Sequence, residues 1–411
     1  MKRVMVIGGG AAGMMAAIQA AKNGASVSLF EKTNHVGKKL SITGKGRCNI
    51  TNFADIPEII KNIPGNGKFL NSVLRGFNSA DVINFFESIG VKTKVERGSR
   101  VFPESDKASE VVDALMNQIL SLGVEVYTNS KVTDIIVTDK KVSNIKVDGK
   151  LEPADAVIIA VGGASYPATG STGDGYTMAR KVGHTVTKIL PALVPLETEE
   201  SFVKDLQGVS LKNVRVTLLA DNKKIADEFG EMLFTHFGVS GPIILTLSRK
   251  AAFLLDEGKS VELSINLKPA LTPEQVAARV LRDFDKYKRK TAKNALVDLL
   301  PNALIPVVLD LAYIDEDKHI DTITQAERRR LVDTLRDFRL TITKTRPIEE
   351  AIVTAGGVSI KEINPKTMES KLVKGLFFAG EVVDIDGFTG GFNLQAAFSM
   401  GYAAGKFSSI S

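Results

Sequence analysis

The chain has 411 residues, 44% of them hydrophobic and only 6% aromatic, with 53 Lys and Arg against 47 Asp and Glu for a net charge of +6. That is apolar material for two or three cored domains, and it excludes a disordered or fibrous chain. One cysteine, Cys48, excludes an internal disulfide and fits a reducing compartment, while the mild positive charge leaves room for a polyanionic partner without requiring one.

Met1 to Ile7 (MKRVMVI) imitates a signal peptide, but it gives way at once to glycine, and no apolar run reaches the length of a membrane span. A soluble, cytoplasmic protein with no membrane partner is expected. The same run is short enough for a buried parallel strand, and it ends in Gly8, Gly10 and Gly13, the G-x-G-x-x-G of a strand-to-helix phosphate turn. Gly8 permits the tight exit, Gly10 lets the backbone approach a pyrophosphate, and Gly13 lets the helix Ala11 to Lys22 pack close to the strand. The amides at the helix start, those of Ala11 and Ala12 included, then face an anion. Ala25 to Phe30 (ASVSLF) forms a second strand with Glu31 at its end, 18 residues past Gly13 and placed to accept adenosine ribose hydroxyls. An acid here argues against a 2′-phosphate. Strand, turn, helix, strand and acid in register make a dinucleotide site; the bland alternative is a tight turn with no ligand.

Gly37 to Asn52 (GKKLSITGKGRCNITN) is a glycine-rich loop whose Lys38, Lys39, Lys45 and Arg47 border the expected pocket. Two amphipathic helices, Asn78 to Ile89 and Ser109 to Leu122, stop at Gly90 and Gly123. Val124 to Val161 reads as four short strands with turns at Lys140 and at Asp148-Gly149. From Pro191 the pattern changes: 191 to about 271 is strand-like, 272 to 337 is helical and opens with Thr272 as N-cap before Pro273, and strand character returns at 338 to 345. The basic clusters KYKRKTAK (286 to 293) and RRR (328 to 330) read first as solvated helix faces with compensating acids. Gly375 to Glu381 (GLFFAGE) is again a buried strand ending on glycine and an acid, and Gly390 and Gly391 precede a last helix.

These elements predict an α/β protein: a Rossmann-like FAD-binding domain with parallel sheet and β-meander, formed by 1–190 and 346–411, interrupted by an inserted β-rich plus helical domain, 191–345. A chain that begins and ends at one cofactor points to a flavin enzyme. No second strand-linked G-x-G-x-x-G appears, so NADH or NADPH is expected as a transient hydride donor only.

The loop at Gly37, AVGGASYPATGSTGDGY (160–176), GEMLFTHFGVSGP (230–242) and GEVVDIDGFTGGFNLQ (380–395) together resemble the YhiN/BaiN/RdsA family of bacterial flavoproteins, in order and spacing, over essentially the whole chain. The resemblance implies FAD held first at the opening glycines and Glu31. Lys32, Lys39, Gly44, Arg47 and Val132 complete that side, Ala160 and Gly162 end a strand on it, and Gly380 and Glu381 reach the ribityl and pyrophosphate region. The amides of Gly391, Phe392, Asn393 and Leu394 would meet the flavin's pyrimidine edge and stabilise negative charge there.

Reduction of a carbonyl-conjugated double bond needs a hydride at the β carbon and a proton at the α carbon. Cys48 is the candidate acid, with a small packing residue as its bland alternative. His236, in FTHFGVSGP, is the histidine that the resemblance puts on the substrate side. No spacing suits a metal, and no Cys pair serves disulfide reduction. The resemblance implies two substrates: a uridine of large-subunit (23S) ribosomal RNA, giving dihydrouridine, and a small-molecule enone of steroid or bile-acid type. A flavin redox carrier without an RNA substrate and an RNA-binding protein with structural FAD are the other classes.

Overall fold

In the computed structural model, which describes residues 1–410, the opening apolar run is a central strand. One unit comprises Met1–Leu190 and Ile348–Ser411. In chain order it contains β1 (Arg3–Ile7), α1 (Ala11–Lys22), β2 (Ser26–Phe30), α2 (Lys38–Gly46), β3 (Thr51–Asn52), β4 (Thr93–Glu96), β5 (Arg100–Pro103), β6 (Glu125–Tyr127), β7 (Val132–Thr138), β8 (Lys141–Val147), β9 (Lys150–Pro153), β10 (Ala156–Ile159), α3 (Asp174–Lys181), β11 (Leu376–Phe378) and α4 (Phe392–Ile410).

A five-stranded sheet has the order β11-β10-β1-β2-β6, and every pairing in it is parallel. A parallel strand covered on both faces needs apolar residues at successive positions. Accordingly Val157, Ile158 and Ile159 of β10 and Leu376, Phe377 and Phe378 of β11 are all fully buried. The sequence reading of four strands between 124 and 161 is corrected to five. β6 pairs with β2 in the parallel sheet, whereas β7, β8 and β9 form a separate antiparallel meander; so short an edge strand gives no periodicity to separate it from its neighbour.

The other unit, Pro191–Pro347, contains a closed barrel of strands Leu196–Thr198, Gly238–Ser240, Lys223–Thr235, Ser210–Ala220, Val261–Asn266 and Phe338–Thr345, in that spatial order. Its helices include Pro273–Lys286 and Gln325–Arg336, each opened by a capping box, at Thr272 with Gln275 and at Thr324 with Glu327. The helix Pro242–Asp256 falls inside the stretch read as strand-like. It opens with PIILTL, a short, mostly apolar run of a kind that a buried strand and a buried helix share. No helix among the described residues is long and apolar enough to cross a membrane.

Candidate active site

Gly8 leaves β1 with φ +102°, and a Cβ there would lie 2.5 Å from the Ala160 carbonyl oxygen. A Cβ on Gly13 would lie 1.8 Å from the Gly8 carbonyl oxygen, so α1 can sit this close to the strand exit only with glycine at that position. Gly10 differs. A Cβ there meets nothing within 4 Å, so packing within the chain does not explain its missing side chain, whereas approach of an external group does. No hydrogen bond among the described residues takes up the N–H of Gly10, Ala11 or Ala12 at this helix start. Those amides and the open space over Gly10 fit a diphosphate. Glu31 closes the turn from β2: its carboxylate accepts from the Gly9 N–H at 2.9 Å and the Thr33 N–H at 2.8 Å.

The chain's last helix supplies a second set of free amides. No hydrogen bond among the described residues uses the N–H of Phe392, Asn393 or Leu394. The Asn393 side chain fixes the preceding turn, accepting from the Gly387 N–H and donating to the Gly387 and Phe388 carbonyls. Gly391 lets that turn press on β3, since a Cβ there would lie 2.4 Å from the Thr51 carbonyl. α1 and α4 lie side by side in the same direction, with Gly401 against Ala12 and Gly405 against Ala16. Phe392 precedes Gly401 by nine residues, so at 1.5 Å per residue the start of α4 lies about 13 Å ahead of the level of Ala12. Two anion-favouring helix ends therefore stand staggered by that distance on two parallel, contacting helices.

An ion pair joins α2 to the segment that follows β11. Lys39 of α2 donates to Glu381 at 2.6 Å and to the Ser165 hydroxyl at 2.7 Å. Glu381 also accepts from the Thr354 N–H at 2.8 Å and the Ser165 hydroxyl at 3.0 Å. Burial works against charge on Glu381, but Lys39 and Thr354 outweigh it and hold the carboxyl below the usual glutamate range. The same balance holds Asp174, where burial is opposed first by Lys32, which donates at 2.5 Å to both Asp174 and Thr172. Tyr176 is buried with no hydrogen-bond partner for its hydroxyl; burial first, then the charges of Glu381 and Asp384, keep the phenol protonated.

The glycine-rich loop is not extended. It forms α2, which breaks at Thr43, with Gly44, Lys45 and Gly46 all at positive φ. Cys48 also has φ +59°, and its side chain is 0% exposed. Burial pushes its thiol up to about 12, with the Thr43 side chain pulling the other way. The expectation that this thiol protonates a substrate meets a geometric obstacle: it is shut off from solvent. Arg47 has acidic partners of its own. Its guanidinium pairs with Glu96 and Asp106 at 2.5 Å each and lies 4.1 Å over the Phe102 ring. Val132 opens β7 with its side chain buried. Ala160 donates to the Ile7 carbonyl beside the glycine turn, and a Cβ on Gly162 would lie 2.7 Å from the Ser171 hydroxyl. Gly380 abuts Ala12 of α1. His236 is exposed at the turn between two barrel strands, in edge contact with Phe237. Sequence reasoning missed Ser165, Thr354 and Tyr176; Ser165 and Tyr176 lie within the quoted stretch 160–176, but only tertiary partners single out Ser165 and Thr354.

The model of the HI0933-like protein Rossmann domain matches residues 2–407. The chain belongs to this family. Among the relatives that span nearly the full length are the 3-dehydro-bile acid delta(4,6)-reductase of Clostridium scindens, 35% identical, covering 99% of this chain and 98% of that one, and the ribosomal RNA dihydrouridine synthase of Haemophilus influenzae, 32% identical, covering 97% and 96%. Among solved structures, the 3-ketosteroid delta1-dehydrogenase of Sterolibacterium denitrificans aligns over 100% of both chains with a TM-score of 0.55 at 13% identity. That likeness is one of fold, the Rossmann-type α/β architecture with an inserted β-rich part.

Proposed function

We propose that this HI0933-like chain is an FAD-dependent oxidoreductase that uses NADH or NADPH to reduce a carbonyl-conjugated C=C bond, with a uridine of large-subunit ribosomal RNA as substrate. The carrying observation is the pair of aligned helix starts with free amides, about 13 Å apart along a shared direction. FAD, when bound, supplies the two-electron chemistry that connects the nicotinamide with the double bond.

In this reading the chain's residues bind and orient. The amides of Gly10 to Ala12 hold the diphosphate, and Glu31 fixes the glycine turn while facing the adenosine. The unused amides of Phe392, Asn393 and Leu394 at the start of α4 would favour negative charge on the ring of a bound FAD. Lys39 and Glu381 join α2 to the end of β11 and brace the space between. Cys48 is assigned to packing, where its thiol fixes the bend after α2. His236 is retained as the substrate-side residue on family resemblance alone, and its substitution by alanine tests that directly through turnover.

The relative named for ribosomal RNA and the net charge of +6 support the RNA substrate. A small enone is the second reading, favoured by the slightly higher identity to the bile-acid reductase. The deciding experiment is nucleoside mass spectrometry of 23S rRNA from a deletion strain, before and after incubation with the purified yellow protein and reduced nicotinamide. Dihydrouridine should appear. Unchanged rRNA together with consumption of a bile-acid-type enone would replace the first reading with the second.

A further inference from the structure

The small antiparallel sheet beside the site carries charge that its own neighbours do not neutralise. β4 and β5 form a hairpin around Arg97, Gly98 and Ser99, and β3 pairs along β5. From 92 to 100 the chain reads KTKVERGSR, four cations and one acid. That acid, Glu96, is taken by Arg47, and Asp106 is shared by Arg47 and Lys94. Two acids thus balance two cations. Among the described residues no ion pair involves Lys45, Arg97 or Arg100, and all three are exposed.

The register places this surplus beside the cofactor end of the unit. Asn52, Arg100 and Glu96 are direct neighbours across the three strands and so lie on one face. On that face the Asn52 amide donates to the Gly98 carbonyl at 3.0 Å and to the Gly390 carbonyl at 2.9 Å. The hairpin tip is therefore tied to the glycine turn that opens α4. Arg100 is held in place, donating to the Arg97 carbonyl at 3.0 Å with its guanidinium 5.8 Å from the Phe102 ring. Gly44, next to Lys45, approaches the same ring. On the other flank of the tip, Phe53 donates its N–H to the Ser99 carbonyl and is 55% exposed. Single exposed apolar residues need no explanation. Here the exposed ring follows Asn52, whose amide ties the tip to the α4 turn, while Arg97 and Arg100 at the same tip are unneutralised.

We propose that this hairpin tip, with Arg97 and Arg100 on one flank, Phe53 on the other and Lys45 in the neighbouring α2 break, is the docking surface for an unpaired stretch of RNA that passes over the tip, the cations meeting phosphates and the ring stacking on a base. The proposal rests on the ribosomal-RNA reading of the substrate. Unpaired RNA fits better than a duplex because an aromatic face reads a splayed base, not one held in a stack.

The test uses the FAD-loaded protein and three variants: Arg97→Glu with Arg100→Glu, Lys45→Glu, and Phe53→Ala. Binding of a short fluorescent single-stranded oligoribonucleotide is titrated across a KCl series, alongside dihydrouridine formation in 23S rRNA and bleaching of the bound flavin by reduced nicotinamide. The double charge reversal should weaken binding at least about tenfold and flatten the salt dependence by about 0.7 per lost phosphate contact. Phe53→Ala should weaken binding about fivefold or more with the salt slope kept. All variants should bleach at the wild-type rate, which reports an intact flavin site. Variants that bind the oligoribonucleotide and form dihydrouridine like wild type overturn the docking surface and leave the substrate reading standing. Wild-type protein that bleaches normally but forms no dihydrouridine removes that reading, and the docking surface with it.

Discussion

Glu381 shows how one side chain's surroundings set a measurable property. Its folded pKa lies below the ordinary 4.5, the result of Lys39 and Thr354 prevailing over burial. The fold therefore favours the ionised form, a contribution complete above the ordinary value and lost as pH falls through the folded one. Glu381→Gln should destabilise the protein at pH 7 by about 1–3 kcal/mol, since Lys39 is left without its counter-charge. Melting curves of both proteins should converge below about pH 4.5; a gap that stays constant through that range would deny the carboxylate its part. Cys48 is the opposite kind of residue, neutral and enclosed. Cys48→Ala should keep the flavin and substrate turnover within about threefold while losing about 1–2 kcal/mol of stability, and the native thiol should resist a disulfide reagent until the protein unfolds. Turnover slowed about tenfold or more with flavin reduction intact would return the thiol to the chemistry.

At the scale of elements, the contact between α1 and α4 sets the spacing of the two helix starts. A Cβ on Gly401 would lie 2.4 Å from the Ala12 carbonyl, and one on Gly405 2.2 Å from the Ala16 carbonyl. Gly401→Val should push the helices apart, cost about 3 kcal/mol and lower the flavin absorbance per protein. Gly76→Ala, a position where a Cβ meets nothing, serves as the control and should match wild type on both counts. The sequence made the ends of this arrangement legible, because G-x-G-x-x-G and the glycines before Phe392 serve a backbone function that constrains residue type directly. What it hid were partners distant along the chain. The acids that pair with Arg47 stand 49 and 59 residues away. Lys39 and Glu381 meet across 342 residues, a separation over which no local pattern carries information. The helix Pro242–Asp256 was lost for another reason, since its start, PIILTL, is a short apolar run that reads equally as a buried strand.

For the whole molecule, the decisive feature is how each unit closes on itself. In the first, β10 pairs with β11 and α1 packs on α4, so both chain ends are needed for one core. In the second, the entering strand Leu196–Thr198 pairs with the leaving strand Phe338–Thr345, Leu196 opposite Thr345, and the barrel's apolar interior forms a core of its own. An insert whose ends meet in a strand pair imposes little on the host chain that carries it. Residues 191–347 expressed alone should therefore give a cooperative thermal transition and a colourless protein, while the remainder, joined by a short Gly-Ser linker in place of the insert, should keep its yellow flavin. Circular dichroism and the visible spectrum check the two halves separately. A fragment without a transition would mean that the barrel needs the first unit to fold, and a colourless remainder would mean that the aligned helix starts do not hold the cofactor without the insert.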